Sequence, residues 1–171
     1  MARLRKFCAY RRLERPFTRK SKYRAKSFIR SVPHKRIVRF NMGNVKGEFT
    51  HRLDLVSKSD IQIRDNALEA ARLTSNRLLE KQLGKPNYFY HVRVYPHHVL
   101  RENPLAAGAG ADRLSTGMKM SFGKSIGIAA RIKKNQPVFT VKVNKQNITL
   151  AKAALKKASQ KLPCGCAIVE V

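Results

Sequence analysis

The sequence predicts an α+β domain, a mixed and mainly antiparallel sheet with two helices, preceded by an extended basic arm. Three observations predict it. Short segments of period two are interleaved with two segments of helical period. The 37 Lys and Arg stand against only 10 Asp and Glu, a net of +27, and they are unevenly spread. An aperiodic stretch rich in Gly and Ala, residues 102–123, interrupts the strands. The expected organisation is an arm over residues 1–32 and a single domain over 33–171 that carries the long loop.

The distribution of charge sets the first boundary. Residues 1–46 hold sixteen bases and one acid, Glu14. Residues 47–87 hold seven bases and six acids, and residues 88–171 hold fourteen and three. The near-neutral middle reads as folded protein, whereas the N-terminal end reads as a cationic arm. Basic residues there alternate with single aromatics, as in Arg11-Arg12-Leu13-Glu14-Arg15-Pro16-Phe17-Thr18-Arg19-Lys20, with no stable period. Such a segment is expected to be extended and ordered by a partner.

Beyond Pro33, Arg36–Phe40 reads as a short strand, Met42-Gly43-Asn44 as a turn, and Phe49–Val56 as a second strand. Ser59-Asp60-Ile61-Gln62 has the form of a capping box, which opens a helix over about residues 60–83. Leu68, Ala71, Ser75, Leu78, Leu79 and Gln82 form its apolar stripe, with Arg64, Glu69, Arg72, Arg77, Glu80 and Lys81 as charged flanks. Gly84 and Pro86 stop it. Tyr88, Tyr90, Val92 and Val94 alternate with Phe89, His91 and Arg93, which predicts a strand. Further strands are expected from His97 to Arg101, Ser125 to Ile132 and Val138 to Val143. A second helix is expected from Leu150 to Lys161, capped by Thr149, with Leu150, Ala153, Ala154, Ala158 and Leu162 inward. Ala167–Val171 reads as the last strand.

A net charge of this size points to a polyanionic partner, and the interleaved Tyr10, Phe17, Tyr23 and Phe28 favour RNA, because they can stack on unpaired bases. An anionic membrane surface is the weaker alternative: the face opposite the lysines of the second helix is mostly alanine, which anchors poorly. No run of 18 apolar residues occurs, and no secretory signal is visible. The Arg-rich, acid-poor start shares its composition with organellar transit segments, but Tyr10, Pro16, Phe17 and Tyr23 stand in no amphipathic order. Three cysteines, Cys8, Cys164 and Cys166, fit a reducing compartment and no zinc ribbon.

The features that could carry catalysis are sparse. Gly123-Lys124-Ser125 ends like a phosphate-binding loop, yet Met118 stands where that pattern needs its first glycine. Gly108-Ala109-Gly110-Ala111-Asp112-Arg113 lacks the third glycine of a dinucleotide fingerprint. His97 and His98 are adjacent on a strand and point to opposite faces, which argues against one metal site. No catalytic group, cofactor or metal is therefore expected, and an RNA-modifying enzyme is disfavoured. The 102–123 loop exceeds the roughly 12–15 residues that compact domains ordinarily leave irregular, which marks it as either functional or disordered. Its glycines allow close backbone approach to a bulky partner, and Arg113, Lys119 and Lys124 supply phosphate contacts.

Gly110-Ala111-Asp112-Arg113-Leu114-Ser115-Thr116-Gly117-Met118-Lys119, followed by Phe122-Gly123-Lys124, closely resembles the central signature of a ribosomal protein family. The family is the universal large-subunit one numbered sixteen in bacteria, here in its archaeal and eukaryotic branch, L-ten-e. Asn66–Arg72, Tyr95–Asn103 and Gly127–Arg131 resemble its first helix and the strands on either side of its loop, so the likeness spans about residues 32–163 in one collinear order. The resemblance implies an α/β-hammerhead fold and a seat on large-subunit ribosomal RNA, among neighbouring ribosomal proteins in cytoplasmic ribosomes. It implies that the loop points towards the peptidyl transferase centre and the tRNA acceptor arms, and that the protein joins the subunit late. The expected RNA-binding residues are Arg11, Arg12, Arg15, Arg19, Lys20, Lys22, Arg24, Arg36, Arg39, Arg113, Lys119 and Lys124. Those expected nearest tRNA are Gly108, Gly110, Arg113, Gly117, Met118 and Phe122.

Overall fold

A computed structural model describes residues 5–13, 23, 29, 31–102 and 123–171. The elements run β1 (Asn41–Gly43), β2 (His51–Ser57), β3 (Ile61–Arg64), α1 (Asp65–Leu83), β4 (Tyr88–Val92), β5 (His98–Glu102), β6 (Lys124–Ile132), β7 (Pro137–Val143), α2 (Ile148–Ser159) and β8 (Cys166–Glu170). The strands divide into two sheets, ordered β1-β4-β7-β2-β8 and β3-β6-β5, and the pairs within both are antiparallel. The α+β class with two helices is therefore as expected, with two sheets in place of one.

The larger sheet is built round β7, whose Val138, Phe139, Thr140 and Val141 are all buried. On β4, Tyr88, Tyr90 and Val92 turn inward, and the Tyr90 ring packs on Phe139 at 5.5 Å between centroids. Tyr90 is fully buried, and its hydroxyl meets the Ser75 hydroxyl of α1 at 2.7 Å. Burial raises the Tyr90 pKa, so the phenol keeps its proton. Helix α2 lies on α1 and contributes Ala151, Ala154, Leu155 and Ala158 to the same core as Leu53, Leu55 and Val141.

The start of α1 corrects the sequence reading. Ser59 caps nothing; Ile61 and Ile63 belong to β3, opposite Ile132 and Ala130 of β6, and the helix begins at Asp65. Two isoleucines spaced by two share one face of a strand but not of a helix, and pairing with β6 places them in the sheet. The Asp65 carboxylate accepts the Asn66 N–H at 2.9 Å and the Arg36 N–H at 3.2 Å. The other end is as expected: Gly84 takes φ +73 and donates its N–H to the Glu80 carbonyl at 3.2 Å.

Four smaller readings also change. Arg36–Phe40 forms no strand, whereas Met42 and Gly43 of the Met42-Gly43-Asn44 segment read as a turn lie in β1; its pairing with β4 creates it. Arg72 is buried, not a solvated flank, because Glu69 takes its Nε–H at 2.8 Å one turn back, and Gln82 is exposed. Helix α2 starts at Ile148, so Thr149 lies inside it, and Ala151 and Leu155 replace Ala153 and Leu150 on the buried face. The arm is partly docked: Phe7–Ala9 is a single 3-10 turn, and residues around it bond to β3.

Candidate nucleic-acid interface

The docked arm meets the strand that leads into the long loop. The Gln62 backbone N–H donates to the Arg11 carbonyl at 3.0 Å, and its side-chain amide donates to the Tyr10 carbonyl at 2.7 Å. The Gln62 amide oxygen faces His98 Nδ1 of β5. Glu102, the last residue of β5, holds Arg5 Nε at 2.6 Å on one oxygen and the Tyr10 hydroxyl at 3.0 Å on the other. Arg64 closes the group, donating to the Arg5 carbonyl at 2.9 Å and lying 5.7 Å over the Tyr10 ring. Burial and then the hydrogen bond to Glu102 raise the Tyr10 pKa, so the phenol remains a donor.

Glu102 pairs with Lys124 across the β5–β6 ladder, and Arg101 Nε donates to the Gly123 carbonyl at 3.1 Å. Both ends of the 102–123 loop are thus fixed side by side, and the arm is fastened to one of them. Residues 103–122 lie outside the described residues, as do Arg15, Arg19, Lys20, Lys22 and Arg24 of the arm. Gly108, Gly110, Arg113, Gly117, Met118, Lys119 and Phe122 are among them.

The remaining expected contacts are placed. Arg11, Arg12, Arg36, Arg39 and Lys124 are all exposed. Arg36, Arg64 and His34 line a cleft of about 300 Å³ together with Asp65, Leu100, Ile126 and Ile128.

The family model described as "Ribosomal protein L16p/L10e" matches residues 14–169. The chain belongs to this ribosomal protein family. Curated relatives agree, and each carries the name large ribosomal subunit protein uL16. That of Methanococcus maripaludis is 48% identical over 160 residues, covering 94% of this chain and 90% of the relative. That of Staphylothermus marinus is 50% identical over 147 residues, covering 86% and 84%. That of Methanospirillum hungatei is 48% identical over 144 residues, covering 84% and 85%. The match reaches further at both ends than the motifs that first suggested it.

Members of the L16p/L10e family are structural proteins, not enzymes, and the histidines of this member suit that role. Burial, followed by the nearby Arg131, lowers the His98 pKa, and burial with Arg93 lowers that of His91. Both rings are neutral near pH 7, occupied by Gln62 and by Asn41, the latter at 2.5 Å. Among the described residues, no three His, Cys, Asp or Glu side chains gather as metal ligands, and no helix is long and apolar enough to cross a membrane.

The L16p/L10e chain also presents two aromatic surfaces that the sequence reading did not single out. On the outer face of the larger sheet, Phe89 lies near-parallel to His91 at 6.1 Å, Lys142 stands 5.9 Å over the Phe89 ring, and Arg93 is exposed beyond them. Beside it, Phe40 stacks on Tyr95 at 5.4 Å, His97 packs on Tyr95 at 4.4 Å, and Lys35 lies 4.8 Å over the Tyr95 ring. The signal was present: the outward half of the Tyr88–Val94 alternation is Phe89, His91 and Arg93. The far higher charge density of the arm masked it.

Proposed function

We propose that this chain is a structural constituent of the large ribosomal subunit, bound to its ribosomal RNA in cytoplasmic ribosomes beside other ribosomal proteins. The observation that carries the reading is a family match across residues 14–169 on a chain with a net charge of +27. Arg11, Arg12, Arg36, Arg39 and Lys124, with Arg15, Arg19, Lys20, Lys22 and Arg24 of the arm, neutralise phosphates. The rings and cations of the outer sheet face add a second contact surface, where unpaired bases stack.

The arm, residues 1–32, and the domain, residues 33–171, act together to hold the base of the 102–123 loop. The loop extends towards the peptidyl transferase centre and the tRNA acceptor arms, with Gly108, Gly110, Arg113, Gly117, Met118, Lys119 and Phe122 at its working surface. The fixed ends support this reading, because a pinned stem aims a long loop without ordering all of it. Late joining of the subunit follows if the seat is complete only once its RNA has folded. Sedimentation of a cell lysate through a high-salt sucrose gradient tests the proposal. The chain should travel with large subunits and assembled ribosomes; recovery as free protein, or only on immature particles, would point to an assembly factor.

A further inference from the structure

Cys164 and Cys166 remain outside everything proposed above. They flank Gly165 in the turn from α2 into β8, and their sulfurs are 3.6 Å apart. The turn is held from below. The Lys58 N–H donates to the Gly165 carbonyl at 3.0 Å, Cys166 pairs with Ser57 across the β2–β8 ladder, and the Ser57 hydroxyl lies 3.7 Å from the Cys164 sulfur. Both thiols are half-buried and free. Among the described residues, no third His, Cys, Asp or Glu joins them as a metal ligand.

We propose that Cys164 and Cys166 are a modification site, a dithiol that closes to a reversible disulfide by exchange with a low-molecular-weight disulfide. Residues two apart have Cα atoms at most about 7 Å apart. Closing the sulfurs from 3.6 Å to a bond length of about 2.05 Å brings them nearer by about 1.5 Å.

The surroundings divide the labour. A hydrogen bond from the Cys166 thiol, helped by Ser57 against the opposing effect of burial, brings the Cys164 pKa down to about 7. Donating that bond, together with burial, pushes the Cys166 thiol up. Cys164 is the attacking thiolate: its sulfur bonds one sulfur of the incoming disulfide and expels the other half as a thiolate. Once Cys164 is in the mixed disulfide, the Cys166 thiol loses its bond to the Cys164 sulfur and keeps only the 3.6 Å contact with the Cys164 carbonyl, while Lys58 favours the Cys166 anion. Cys166 then gives its proton to the released thiolate, attacks the Cys164 sulfur and expels the second thiolate. Two protein thiols are oxidised and one small disulfide is reduced to two thiols.

The test uses the full-length C8S chain, which removes the exposed third thiol. It is incubated with glutathione disulfide at pH 7 and read by mass spectrometry. The chain should lose two hydrogens and retain no adduct, whereas C8S/C166S should keep one glutathione on Cys164. C8S/C164S should react about tenfold more slowly, as a less ionised thiol does. Bridging in the native C8S chain should also outpace bridging in denaturant, which needs no further variant. A mixed disulfide that persists with Cys166 intact, or a native chain that bridges no faster than the denatured one, overturns the proposal.

Discussion

Asp54 is an acid buried in the most basic of surroundings, on the outer face of the larger sheet. Arg52 donates from Nε at 3.1 Å and from Nη2 at 2.6 Å, and Thr140 of the neighbouring strand donates at 2.6 Å. Burial alone would raise its pKa; the bonds from Arg52 and Thr140 outweigh that and hold the carboxyl below its ordinary range. A carboxyl depressed on folding adds stability above its unfolded pKa of 3.8, and the contribution is lost as pH falls through the folded value. D54N should therefore unfold about 1–3 kcal/mol more easily at pH 7. The gap to the unsubstituted chain should begin to narrow only below about pH 4 and close once pH falls below the depressed folded value. Urea titrations at both pH values check it, and a gap that persists in acid would remove the charge from the explanation. Gly43 makes a second prediction at this scale. Its φ is +80, and a Cβ there would stand 2.2 Å from the Tyr88 carbonyl oxygen. G43A should cost at least about 1–2 kcal/mol from the backbone alone, read as a lower denaturation midpoint.

At the scale of elements, what could be read in advance depended on where each element gets its stability. Tyr88–Val92 alternates because one face is buried, Pro137–Val143 is a near-continuous apolar run because both faces largely are, and the α1 stop is written locally in Gly84 and Pro86, so these were legible. β1 is only three residues long and owes its existence to β4, so no local pattern announces it. Part of the buried face of α2 was misplaced, Ala153 for Ala151, because alanine lies equally well inside or outside. The capping box failed for a related physical reason: a local motif competed with a strand pairing, and the pairing won. This has a measurable consequence. The contacts that Ser59 makes with Ser57 use only its backbone, so S59A should change stability by less than about 0.5 kcal/mol. A true N-cap would lose about 1 kcal/mol. Chemical denaturation separates the two values.

At the scale of the whole molecule, residues 5–13 of the arm, the small sheet and the two ends of the long loop are joined to one another, and only part of that was legible. Net charge marked the arm and length marked the loop, but neither showed that Arg5 and Tyr10 grip Glu102 at the loop's base. That link joins residues far apart in sequence, and single-residue patterns carry no trace of it. It also separates fold from function. Glu102 and Lys124 are already partners in an antiparallel ladder, and such ladders close with loops of about two to five residues. Deleting residues 106–120 leaves a short connection across that closed end. The truncated chain should keep its melting temperature within a few degrees and its docked arm, seen as unchanged protease cleavage at Arg11 and Arg12. Its ribosomes should form peptide bonds more slowly and hold tRNA less well. Full peptidyl transfer with normal tRNA binding would show that the loop does no work there, and unfolding of the free truncated chain would show that the stem depends on the loop it carries.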